Sequence, residues 1–128
     1  MKKIIAIILL LTIGCFVKAQ DCSKVKSGRF KSVLDLDTAK YITILHRLKN
    51  IQTEETNTGI KMQFKVTWTS DCTYELSNPK VLKGEMEGVS KDQVLYIKII
   101  KVTSTSYTAE VTSNFADQKF VMEFQILE

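Results

Sequence analysis

One ten-residue run constrains this chain more than any other. Ile60, Met62, Phe64, Val66 and Trp68 alternate without a break with Lys61, Gln63, Lys65, Thr67 and Thr69. Successive side chains of a strand point to opposite faces, so the pattern puts five apolar groups on one side and polar groups on the other. The run holds the only tryptophan of the chain, and Cys72 follows shortly after it. A core strand and a covalent staple are therefore expected together.

The remaining segments read as strands joined by turns. Residues 29–34, following Gly28, make a first strand, and residues 41–48, rich in β-branched and aromatic side chains, a second. Lys49-Asn50 makes a two-residue hairpin into residues 51–56, and Asn57-Thr58-Gly59 turns the chain into the central run. A short strand is expected over 73–76, ending ahead of Asn78-Pro79, and residues 80–90 carry no clear pattern beyond turns at Gly84 and Gly88. Residues 94–102, 107–115 and 120–127 supply three more strands. In the last of them Phe120, Met122, Phe124 and Ile126 alternate with Val121, Glu123 and Gln125. About eight short strands imply an all-β antiparallel meander closing into a small lipocalin-like barrel, with a β-sandwich as the alternative. An outer-membrane barrel alternates in the same way, but its strands need about 9–11 residues each and aromatic girdles at both ends. A soluble barrel with its apolar face inward fits better.

Residues 1–19 read as a signal peptide: Lys2 and Lys3 precede an aliphatic run from Ile4 to Ile13, and Val17-Lys18-Ala19 suits cleavage before Gln20. Residues 20–128 then form a single β domain without a transmembrane segment, and the chain is expected in the periplasm or outside the cell. A lipoprotein anchored through Cys15, which follows Gly14, is the alternative. Removal of Lys2, Lys3 and Lys18 reduces 18 basic residues to 15 against 14 acidic ones, a net charge of +1. That balance, with no dense Lys/Arg cluster, argues against nucleic-acid binding. Cys22 and Cys72 remain in an oxidising compartment, and a disulfide between them is expected. One histidine and two distant cysteines offer no usual zinc spacing. No metal or cofactor is implied.

Two motifs carry a resemblance. Asp21-Cys22-Ser23-Lys24-Val25-Lys26-Ser27-Gly28-Arg29-Phe30 and Trp68-Thr69-Ser70-Asp71-Cys72-Thr73-Tyr74 resemble a group of small exported proteins from Bacteroidetes. That group pairs Cys-x-x-hydrophobic-x-x-Gly-x-Phe with a later Trp-x-x-x-Cys-x-Tyr, and Arg47, Gln52 and Glu54 match its Arg…Gln-x-Glu hairpin. Val25 stands where the group has phenylalanine. The resemblance implies fold and export more than activity. Some members carry a DNA topoisomerase label, which a short exported domain of net charge +1 has no room to support.

Candidate sites are few. His46 is the only histidine, and no Gly-x-Ser-x-Gly elbow accompanies it, so it is expected at the surface and no enzyme is implied. Asp35 with Asp37, expected in a turn, and Glu85 with Glu87, expected in a loop, read as solvated charges. Across the Lys49-Asn50 hairpin Arg47 faces Gln52, with Glu54 diagonal on the same face. The trio is expected to be a solvated pairing rather than an interior polar cluster, though as a cluster it would orient a ligand. Phe64 and Trp68 either fill the core or line a ligand cavity, together with Ile97, Met122 and Phe124. Two functions follow: an envelope interaction or accessory module with a filled core and an unknown protein partner, or a lipocalin-like carrier or sensor of a small apolar ligand. A carrier needs a cavity of about 300 Å³ or more, and the filled barrel is the leading expectation.

Overall fold

Alternation of apolar and polar side chains persists through most of the chain, and the chain answers it by closing a sheet on itself. The computed structural model describes residues 21–127, so the expected signal peptide and the Cys15 alternative lie outside the described residues. A 3-10 turn, Ser23–Val25, precedes the strands Gly28–Leu36 (β1), Ala39–Leu48 (β2), Ile51–Thr56 (β3) and Lys61–Trp68 (β4). Thr73–Lys83 (β5), Leu95–Val102 (β6), Ser106–Ser113 (β7) and Phe120–Ile126 (β8) follow. Each strand pairs with the next, and β8 returns to β1, so the meander is a closed barrel.

The central run behaves as its pattern demands. Met62, Phe64 and Val66 are buried and Trp68 half-buried, while Lys65 and Thr67 of the same strand are exposed. Apolar side chains from all around the barrel meet inside, among them Phe30, Leu45, Leu76, Ile97, Ala109, Val111 and Phe124. Fully burying a side chain of that size contributes about 1.5–3 kcal/mol, and a barrel collects these contributions from every strand. An apolar interior with lysines on the outer face is the reverse of a lipid-facing barrel. No helix among the described residues is long and apolar enough to cross a membrane.

Strand pairing is uneven along the barrel axis. β1 meets β2 from Gly28↔Arg47 to Leu36↔Ala39, but meets β8 only at Phe30↔Ile126 and Lys31↔Gln125. β5 meets β6 only from Thr73↔Lys98 to Leu76↔Leu95, although β5 runs on to Lys83. The barrel is thus sewn shut at the end that holds the 3-10 turn. It splays along two seams toward the end that holds the β1–β2 and β3–β4 turns and the loops after β5 and β7.

Three expectations change. β5 does not stop at Leu76 but continues through Asn78-Pro79 to Lys83, taking up part of the segment that looked patternless. Ser77 pairs with Lys65 and Lys80 with Gln63, so Asn78 and Pro79 together oppose Phe64 in a bulge. Asn78 takes a φ of 51°, which asparagine tolerates, and the missing N–H of Pro79 costs nothing where the ladder is already interrupted. The bulge moves the inward face from Tyr74 and Leu76 to Pro79 and Val81, which hides the alternation from sequence. Phe120 opens the last strand's apolar stripe but is 54% exposed, because it sits at the splayed end. Asp35 lies on β1 and not in the turn, though it is exposed as expected.

Candidate functional site

The barrel's polar interior starts at the hairpin between β2 and β3. Leu48 pairs with Ile51, leaving Lys49-Asn50 as the two-residue loop, with Lys49 at a φ of 57°. This register sets Arg47 opposite Gln52 and directs both inward. Both are fully buried, which corrects the expectation of a solvated pairing. A buried guanidinium survives only if its charge and its donors are answered inside the protein.

They are answered by residues from four separate parts of the chain. Arg47 donates from Nε to Gln52 Oε1 at 2.9 Å, from Nη1 to the Val25 carbonyl at 2.5 Å, and from Nη2 to the hydroxyls of Tyr74 at 2.7 Å and Tyr107 at 3.0 Å. Its Cζ stands 4.5 Å from the Tyr74 ring centroid and 4.9 Å from that of Phe30, a cation–π contact on each. Burial pulls the guanidinium pKa down, but the tyrosine oxygens and the Glu54 carboxyl more than offset it, and the net shift is upward. Burial, reinforced by Tyr107, pushes the Tyr74 phenol well above its ordinary 10.0. The guanidinium stays charged and Tyr74 stays a neutral phenol at physiological pH.

Val25 makes this end of the barrel a floor. The 3-10 turn places its side chain in the core and turns its carbonyl onto Arg47. The turn is tied to the barrel by the Cys22–Cys72 disulfide, with Cα atoms 5.4 Å apart, within the usual range for such a bridge. Lys26 adds an ion pair to Asp71 at 3.2 Å and lies 5.0 Å from the Trp68 ring centroid. Trp68 in turn packs on Tyr74 with centroids 4.6 Å apart. Cys22, Cys72 and Asp71 cluster closely enough to suggest a metal site, but both sulfurs are spent in the disulfide and neither is a thiolate.

Glu54 looks the other way. Gln52 relays the network by donating from Nε2 to Glu54 Oε1 at 3.0 Å, and the Glu54 carboxyl borders open space. Burial raises its pKa above the usual 4.5, against the lowering effects of the Gln52 hydrogen bond and the Arg47 charge. Two chambers share Glu54, Leu76 and Leu95 in their walls. The inner one, about 210 Å³, is lined by Ser32, Thr43, Leu45, Ile97, Met122 and Phe124 among others. The outer one, about 320 Å³, lies between Met62, Phe64 and Pro79 on one side and Met86, Val89 and Phe115 of the connecting loops on the other.

Of the residues singled out from sequence, Arg47, Gln52 and Glu54 form one hydrogen-bonded chain, and Gln52, Glu54 and Phe64 reach the cavity walls. Ile97, Met122 and Phe124 line its inner chamber. Trp68 does not line either chamber; it belongs to the floor. His46, Glu85 and Glu87 are exposed, and Glu87 borders the outer chamber. Ser32, a buried polar residue on the cavity wall, was not singled out, although its place between Phe30 and Leu34 on alternate positions marks it as inward-facing. Leu95, Met86 and Phe115 were not singled out either, because nothing local distinguishes a cavity wall from a filled core. No protein-family model matches this chain, and no curated protein is similar to it in sequence.

Proposed function

We propose that this is an exported, non-enzymatic binding protein of lipocalin-like architecture that carries or senses a small apolar ligand in the splayed half of its barrel. The observation that carries the reading is the pair of chambers that share Glu54, Leu76 and Leu95 in their walls, the larger about 320 Å³. Ligand sites begin at about 300 Å³ and combine apolar walls with a few placed polar groups, and here Glu54, Ser32 and Thr43 supply those groups. The disulfide supports export, since such bridges persist in oxidising compartments.

The alternative, an envelope accessory module that binds a protein partner, draws on the edge of β1. Beyond Lys31 this strand has no pairing with β8, and Val33, Leu34 and Leu36 are exposed there. Native mass spectrometry of the protein isolated from its own source, set against its denatured mass, separates the two. An excess of a few hundred daltons supports the carrier; equal masses, or the mass of an added polypeptide, contradict it.

A further inference from the structure

The charge of the cavity wall is one-sided. The only charged side chains among the described residues that line the two chambers are Glu54 and Glu87, and both are acidic. Glu87 is exposed at the mouth of the outer chamber, and Glu54 lies in the walls of both chambers. The nearest buried cation, Arg47, turns its hydrogen bonds to Gln52, Val25, Tyr74 and Tyr107, and reaches Glu54 only through the Gln52 amide. A carboxyl so placed has lost much of its water without gaining a direct counter-ion.

We infer that the ligand of this cavity is an apolar amine, its ammonium group against the Glu54 carboxyl and its hydrocarbon along Leu76, Leu95, Phe64 and Met122. The inference rests on the carrier reading and adds the chemistry of the head group. An ammonium supplies the direct contact that Arg47, acting on Glu54 across the Gln52 amide, does not make, through a charge-assisted hydrogen bond, the stronger kind. An alcohol supplies the hydrogen bond without the charge. A carboxylate ligand sets two acids side by side, so that one of them must take up a proton before it binds. Glu87 at the mouth favours the same cation before it enters. The upward shift of the Glu54 pKa agrees with a site that lacks its cation when empty.

Decylamine, decanol and decanoate share one hydrocarbon chain and differ in the head group, and calorimetric titration of the full-length mature protein with each at neutral pH reads the preference directly. Decylamine is expected to bind at least about tenfold tighter than decanoate, with decanol between them. Glu54→Gln is expected to leave decanol affinity within about threefold, which also reports that the variant is folded, and to bring decylamine down to the level of decanol. Decanoate binding as tightly as decylamine overturns the amine assignment while leaving a carrier. An amine preference that survives Glu54→Gln overturns it as well. Failure of all three to bind the wild-type protein overturns the carrier reading on which the assignment rests.

Discussion

The two ends of this barrel are built from the same kinds of residue and put to opposite uses. At the floor, a charged side chain is buried and every strong hydrogen-bonding group has a partner: Arg47 is held by Gln52, Val25, Tyr74 and Tyr107 and contacts the rings of Tyr74 and Phe30. At the mouth, a second charged side chain two positions along from Gln52 receives a single amide and faces a cavity. Strand pairing follows the same division, complete near the disulfide and interrupted at the β1–β8 and β5–β6 seams. The lesson is that one inward-facing row, Arg47 to Gln52 to Glu54, serves stability at one end and leaves recognition to the other. Gln52 is the joint between them.

That division predicts how substitutions should differ. Arg47→Ala should be the most damaging, costing about 3–5 kcal/mol in denaturant unfolding, because it removes the donors to the Gln52 Oε1, the Val25 carbonyl and two tyrosine hydroxyls and opens a cavity under Val25. A loss below about 1 kcal/mol would show that the network is not what holds the floor. Replacing Cys22 and Cys72 together by alanine should cost about 2–4 kcal/mol, since the bridge spans a sequence separation of 50 residues. Its effect on decanol affinity should be far smaller, as the bridge lies at the other end from the cavity. Tyr107→Phe should cost about 1.5–3 kcal/mol, the contribution of one hydrogen bond to a charged group, while Tyr74 still holds Nη2.

At the mouth the sign reverses. The folded-state pKa of Glu54 lies above its ordinary 4.5, so the native state binds the proton more tightly than the unfolded chain. Its contribution to stability is therefore greatest below about pH 4.5 and falls as the pH rises from there through the folded value. The groups facing it are Gln52 and, through Gln52, Arg47, which remains charged across this range, so the loss tracks Glu54 itself. Glu54→Gln should abolish that fall and make the protein slightly more stable than wild type at neutral pH, with thermal melts across the acid range as the measurement. A variant less stable than wild type at neutral pH would mean that the carboxylate has a structural role at the mouth. The smallest stability effect is expected from Leu95→Phe in the walls of both chambers. It should change unfolding free energy by less than about 1.5 kcal/mol, yet weaken decanol binding, because the added ring occupies cavity and not packed core.

Sequence exposes the two ends unequally. Central alternation, the Lys49-Asn50 hairpin and the Arg47–Gln52–Glu54 face are readable from local spacing, and the structure keeps all three. The disulfide is readable from compartment and cysteine count. Burial of Arg47 is not, because its partners Val25, Tyr74 and Tyr107 come from distant stretches and meet only when the barrel closes. The course of β5 is hidden for a local reason: the Asn78-Pro79 bulge changes which alternate residues face inward, and a proline argues against a strand unless the bulge is foreseen. Trp68 takes the packing place of the two its stripe allowed. A lone tryptophan on an apolar stripe allows a ligand cavity, but its position at the last residue of β4 carries it past the interior to the floor, where Lys26 and Tyr74 cover it.

The division between a closed floor and a receptive mouth is tested most directly by the amide NMR spectrum of the protein titrated with decylamine. The largest shifts are expected at Ser32, Thr43, Glu54, Leu95, Met122 and Phe115, with the Trp68 indole and the Arg47 Nε–H signals nearly unmoved. Shifts concentrated at Trp68, Arg47 and Tyr107, with the residues around Glu54 silent, would contradict it.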